Sequence, residues 1–220
     1  MTQFPLRHSL LLEGEAHLVS QAATRIANEW RESLQLITCL AENLDDPEGK
    51  LPSLTRIQSL QKAILKEVDL ISQQIARFCD LAQNDTHPSL FRPHAEISKI
   101  LQLLEGDLKA KGIVSCVQQG ESLELFGLKH DFQKALFALS LLLLHQANGG
   151  ESLIWELKLQ SNLLQIQVKL HPSPSLGGES LPLRSSLLLL SRALLKHSGH
   201  QLSYYPKEFS FRILAPLSPF

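Results

Sequence analysis

Apolar residues return every third or fourth position at Ile26, Trp30, Leu34, Ile37, Ala41 and Leu44, the interval that draws one stripe along an α-helix. A second stretch keeps the interval at Ile57, Leu60, Ile64, Val68, Ile71, Ile75, Phe78 and Leu81. Between them lies Asp45-Asp46-Pro47-Glu48-Gly49-Lys50-Leu51-Pro52-Ser53, rich in turn formers, so the two are expected to fold back as an antiparallel hairpin. Ser9 to Ala27 contains no proline and lengthens the first helix towards its start. One hairpin covers only part of such a stripe. A second copy would cover the rest, which predicts a homodimeric four-helix bundle with Trp30, Leu34, Ile37, Ile64, Val68, Ile71 and Ile75 in its core.

The pattern changes after the hairpin. Ala82 to Pro93 holds two prolines among polar turn formers, which suggests a division into a helical domain over 1–83, a linker over 84–93 and a second domain over 94–220. Ala95 to Lys111 is amphipathic and stops at Gly112. Short β-type segments follow at Ile113–Gln118 and Ser122–Phe126, then a strongly apolar helix from Asp131 to His145. Leu153 to Leu159 and Leu163 to Leu170 alternate with period two on either side of Gln160-Ser161-Asn162, the signature of a β-hairpin with one buried face. A further helix over Ser185–His197 precedes strands at Gln201–Tyr205 and Glu208–Leu214. This order predicts an α+β chain whose second half is an α/β sandwich, helices on one face of a mainly antiparallel sheet.

Composition narrows the chemistry. Across 220 residues, 21 basic and 22 acidic side chains leave no field of either sign, so a nucleic-acid or anionic-membrane partner is not expected. The longest apolar run, Ala135 to Leu144, is ten residues, half of the roughly 20 that a membrane span needs. A signal peptide is not expected either, because three leucines at the start meet Glu13. Cys39, Cys79 and Cys116 are odd in number and sit in apolar periodic stretches, which reads as reduced core thiols in a cytoplasmic protein.

One segment of the first helix carries a resemblance. Asn28-Glu29-Trp30-Arg31-Glu32-Ser33-Leu34-Gln35-Leu36-Ile37 resembles the phosphoacceptor segment of bacterial sensor histidine kinases, His-Glu-Leu-Arg-x-Pro-Leu-x-x-Ile, with Asn28 in the place of the histidine. Leu187 to Ser203, with His197-Ser198-Gly199, is similar to the last helix and His-Gly-Gly turn of the same family's ATP-binding domain. Phe211 to Leu217 resembles its closing strand and Leu-Pro end. The resemblance implies a hairpin that dimerises and presents a docking surface for response-regulator receiver domains, and an ATPase domain of the gyrase, Hsp90 and MutL group.

It also implies chemistry whose residues are missing. The family's ATP site uses asparagines on the long helix, but the apolar pattern of Asp131 to His145 puts Ala138 and Leu142 at those positions. Asp131 is the last aspartate, so the acid that holds adenine has no counterpart in Lys169-Leu170-His171-Pro172. Arg184-Ser185-Ser186-Leu187 stands where a Gly-Leu-Gly-Leu turn belongs, although Gly177 and Gly178 remain in the lid loop. The resulting expectation is a pseudokinase without cofactor or metal, which dimerises and binds a response regulator or a histidine kinase through Asn28, Glu29, Arg31, Glu32 and Gln35. An alternative is a histidine phosphotransferase using His17, which lies 11 residues before Asn28, close to three helical turns. A genuine ATP-dependent kinase stands third. His197 and His200 flank a Ser-Gly turn, but no nearby cysteine or aspartate completes a metal-ligand set.

Overall fold

Ser53 starts the second of two long helices. Its hydroxyl accepts from the Arg56 amide at 3.3 Å and its carbonyl from the Ile57 amide at 3.0 Å, the pattern of an N-cap. The computed structural model describes residues 4–43, 53–85, 87–118, 123–160, 163–172, 185–205, 208 and 210–217. Helix α1 is Phe4–Glu42 and α2 is Leu54–Ala82. Near the end of α1 the Asn43 amide donates to the Cys39 carbonyl, and the Arg56 guanidinium donates to the Asn43 carbonyl. These bonds satisfy acceptors that a helix end leaves open.

Backbone contacts divide the chain into two compact units, Ser20–Asp80 and the remainder, Met1–Val19 with Leu81–Phe220. In the first unit α1 and α2 face each other through Ala22, Ile26, Ser33 and Gln74, which are buried. The antiparallel hairpin is therefore present. Its apolar arc on α2 is wider than the part α1 covers, since Ile57, Leu65, Val68 and Ile75 stay exposed.

The second unit is the α/β sandwich. After β1 (Ser89–Phe91) come α3 (Pro93–Leu103), α4 (Glu105–Ala110), β2 (Val114–Gln118), β3 (Leu125–Gly127) and α5 (Lys129–Gln146). Strands β4 (Ser152–Gln160) and β5 (Leu163–His171), helix α6 (Ser186–His197) and strands β6 (Gln201–Tyr205) and β7 (Ser210–Pro216) complete it. The main sheet runs β2-β4-β5-β7-β6; only β2 and β4 are parallel, and the other neighbours are antiparallel. Leu153, Trp155, Ile166, Val168, Phe211 and Ile213 point to the buried face, as period two requires.

Helix α5 is the middle of this unit. Every residue from His130 to Leu144 is buried, so α5 is a core helix with no solvent face. Its four sides meet different elements. Ser191 of α6 donates to the Ala135 carbonyl, Glu96 of α3 accepts from Gln133, and Phe132 meets both Phe91 and His200. On the remaining side Lys134 meets Glu15 of α1 and Asn84.

Several expectations change in detail. The helix expected over 95–111 breaks at Leu104, where the backbone leaves helical geometry and Gly106 weakens the next turn. The segment 84–93 includes β1, which pairs antiparallel with β3, and Asp85, whose carboxylate accepts the His130 amide at 2.5 Å and so caps the first turn of α5. The first turns of α1, through Val19, group with the sandwich. The cysteines are a correction: all three are free, but Cys39, Cys79 and Cys116 are exposed. Cys116 lies in the face of β2 that alternates away from the helices, and Cys79 lies on the uncovered side of α2, so apolar surroundings in sequence did not mean burial.

Candidate functional site

On an α-helix each residue turns by about 100°, so Arg31, Glu32 and Gln35 all project within about 60° of Asn28. All four are exposed, and together they form a polar strip along α1 in the hairpin unit. Glu29 departs from it. Rotated by about 100° from Asn28, it is half-buried, and its Oε2 accepts from Gln74 Nε2 of α2 at 2.5 Å. Burial holds the Arg25 guanidinium below its ordinary value, while the charge of Glu29 pushes it the other way. Glu29 thus belongs to a polar layer inside the hairpin, with Gln74 and Arg25.

The residues expected in a dimer core split into two groups. Trp30, Ile37, Ile64 and Ile71 are half-buried along the edge of the hairpin interior. Leu34 is 56% exposed, Val68 46% and Ile75 41%, and Leu54, Ile57 and Leu65 are exposed with them. Ser33, where the resembling segment has proline, is buried in the hairpin, so the backbone there continues as regular helix. His17 is exposed on α1 and belongs to the other unit.

In the sandwich unit, the positions that the resemblance aligns with the family's helix asparagines are apolar. Ala138 and Leu142 are buried in the all-round core of α5. Lys134, one turn before Ala138 on the same side, is 1% exposed and is held by Glu15 Oε2 at 3.1 Å and by Asn84. Asp131 is bound as well, its Oδ2 lying 2.6 Å from His197 Nδ1. Gly177, Gly178 and Arg184 lie outside the described residues. His197 is largely exposed and turned to Asp131, whereas the His200 ring is buried edge-on against Phe132, so the structure does not bring the two histidines together.

Sequence reasoning missed the polar cluster around the first turn of α5. Its signal was present: Gln133 and Lys134 interrupt an otherwise apolar run, and a buried lysine needs partners. The partners, at 15 and 84, could not be read from spacing.

No helix among the described residues is long and apolar enough to cross a membrane. No protein-family model and no curated protein matches the chain. Solved structures do. The histidine kinase AdeS of Acinetobacter baumannii is similar at TM-score 0.52 and 16% identity, over 86% of this chain and 98% of that one. The catalytic domain of histidine kinase ThkA matches at TM-score 0.51 and 13% identity, over 61% of this chain and all of its own. ThkA in complex with the response regulator TrrA matches at TM-score 0.50 and 15% identity, over 93% of this chain and 63% of that one. The chain has the fold of the bacterial histidine-kinase core: a helical hairpin followed by an ATPase-type α/β sandwich.

Proposed function

We propose that the chain is a dimeric, non-catalytic relative of histidine kinases that binds a response-regulator receiver domain or a histidine kinase in the cytoplasm, with no autophosphorylation. The observation that carries this reading is the exposed strip of α1, where Asn28, which the resemblance aligns with the phosphoacceptor histidine, lies beside Arg31, Glu32 and Gln35. A carboxamide cannot act as imidazole does in taking up a phosphoryl group, so a partner seated there would be held by side-chain complementarity alone. Support for the partner class comes from ThkA, whose structure was solved with a response regulator. Support for the lost nucleotide site comes from Ala138 and Leu142, which offer no ligand to Mg²⁺ or phosphate.

Dimerisation follows from the uncovered half of the apolar arc. Leu34, Val68 and Ile75 are exposed together with Leu54, Ile57 and Leu65, while Ala22 and Ile26 are packed within the hairpin, and a second hairpin is the economical cover.

A second reading has its own observation. His17 is exposed on α1. Such a histidine is accessible to a phosphorylated receiver. One experiment separates the readings: the purified chain is incubated with labelled ATP and, separately, with a phosphorylated receiver domain. Binding without label supports the first. Label from the receiver that disappears in His17→Ala supports the second, and label from ATP overturns both.

A further inference from the structure

Strand β6 is an edge of the five-stranded sheet. β7 pairs with one side of it, and no described strand pairs with the other. An edge of this kind leaves alternate amide and carbonyl groups open to a further strand. At this end of the sheet, a cleft of about 440 Å³ lies between α6 and the start of β6, lined by Arg192, Lys196, Gly199, His200, Gln201 and Leu202.

The cleft has a definite charge. Arg192 and Lys196 are four residues apart and so lie on one side of α6; both are exposed, and neither has an ion-pair partner among the described residues. Asp131, which meets the end of α6, is engaged by His197. The His200 ring is 3% exposed and held neutral, so it adds no charge of its own.

Spacing selects the occupant. Positions four apart on a helix rise by about 6 Å, and alternate residues of an extended strand rise by about 7 Å. Two acidic side chains in an acid-x-acid sequence therefore match the two cations while the intervening residue faces the other way. We propose that this cleft docks an acidic extended peptide segment of a partner protein, which adds to β6 as a sixth strand and sets two carboxylates against Arg192 and Lys196. The surface is separate from the α1 strip, so the inference stands or falls apart from the function proposed above.

The test uses the full chain and a fluorescent, end-capped peptide of alternating glutamate and valine, read by anisotropy. Saturable binding is expected, weakened at least tenfold by the double variant Arg192→Glu with Lys196→Glu and by N-methylation of alternate peptide amides. Both substituted positions are exposed, and an unchanged thermal melt shows that the variant is folded. Binding that survives charge reversal overturns the proposal, as does the absence of saturable binding up to millimolar peptide. Indifference to N-methylation rejects strand addition. Displacement by inorganic phosphate at the peptide's own concentration shows a small-anion site and overturns the peptide assignment.

Discussion

Gln74 reaches across the helical hairpin to Glu29, its Nε2 2.5 Å from the Glu29 carboxylate, and so turns the immediate neighbour of Asn28 inward. The segment Asn28 to Gln35 therefore serves two surfaces. Asn28, Arg31, Glu32 and Gln35 face out, while Glu29 helps to hold α1 against α2.

Glu29→Ala removes a charged acceptor from a half-buried hydrogen bond and is expected to cost about 1.5–3 kcal/mol in urea unfolding. Asn28→Ala and Gln35→Ala alter exposed positions and should stay within about 0.5 kcal/mol of the parent. Receiver binding should show the opposite order. Arg31→Glu is expected to weaken it about tenfold through charge repulsion, with the melt unchanged. Equal loss of stability across Glu29, Asn28 and Gln35 variants would contradict the division of the segment into two surfaces.

Val68 and Ile75 are seven residues apart on α2 and both are exposed, which makes them a sensitive pair for the proposed dimer. Val68→Glu with Ile75→Glu should place charges at the centre of a hairpin-to-hairpin contact and halve the mass seen by light scattering. Lys62→Glu, on an exposed side of the same helix, is the control and should leave the mass unchanged. A parent chain that already runs as a monomer at tens of micromolar would remove the basis for the bundle.

How much of this was legible depends on whether a feature is local. The long helices and the β4–β5 hairpin announce themselves by period, since 3.6 and 2 are properties of the backbone itself. The direction of Glu29 was not legible, because it lies at the margin of the apolar stripe, where a polar residue can face either way until Gln74 is seen opposite. Strand β1 is three residues long with one buried position, too short for any alternation to register. The tie between Glu15 and Lys134 joins residues 119 apart, a distance that only the folded chain closes. The absence of an aspartate after Asp131 and of an asparagine between Asp131 and His145 is legible for the reverse reason: composition displays it, whatever the fold does around it.

Lys134 offers a further prediction. Its ammonium group is enclosed in the core unit and depends on Glu15 and Asn84, so Lys134→Ala leaves a carboxylate and an amide facing a cavity. Removing one member of a buried pair typically costs about 3–5 kcal/mol, and a value near the lower end is expected because Glu15 keeps some contact with solvent. Lys134→Met with Glu15→Gln should recover much of that loss, since an apolar chain of similar length fills the space and no charge stays unpaired. Urea unfolding of the two variants decides the matter: a single variant as stable as the parent would show that the pair contributes nothing.

His200 links stability to pH. Burial lowers its pKa from 6.5 to about 4, because the ring sits beside Phe132 and Gly127 and neither nitrogen has a hydrogen-bond partner among the described residues. Between pH 4 and 6.5 the unfolded chain binds a proton at this position that the folded chain does not. The unfolded state thus carries the greater number of bound protons, and the free energy of unfolding rises with pH through that interval. The contribution is fully present above the unfolded value and is lost as pH falls through the folded one, a change on the order of 3 kcal/mol. His200→Phe keeps a flat ring against Phe132 and removes the titration, so its unfolding free energy should change less between pH 6.5 and pH 4 than the parent's by that amount. Parallel pH profiles for the two proteins in urea would show that the buried imidazole does not set this slope.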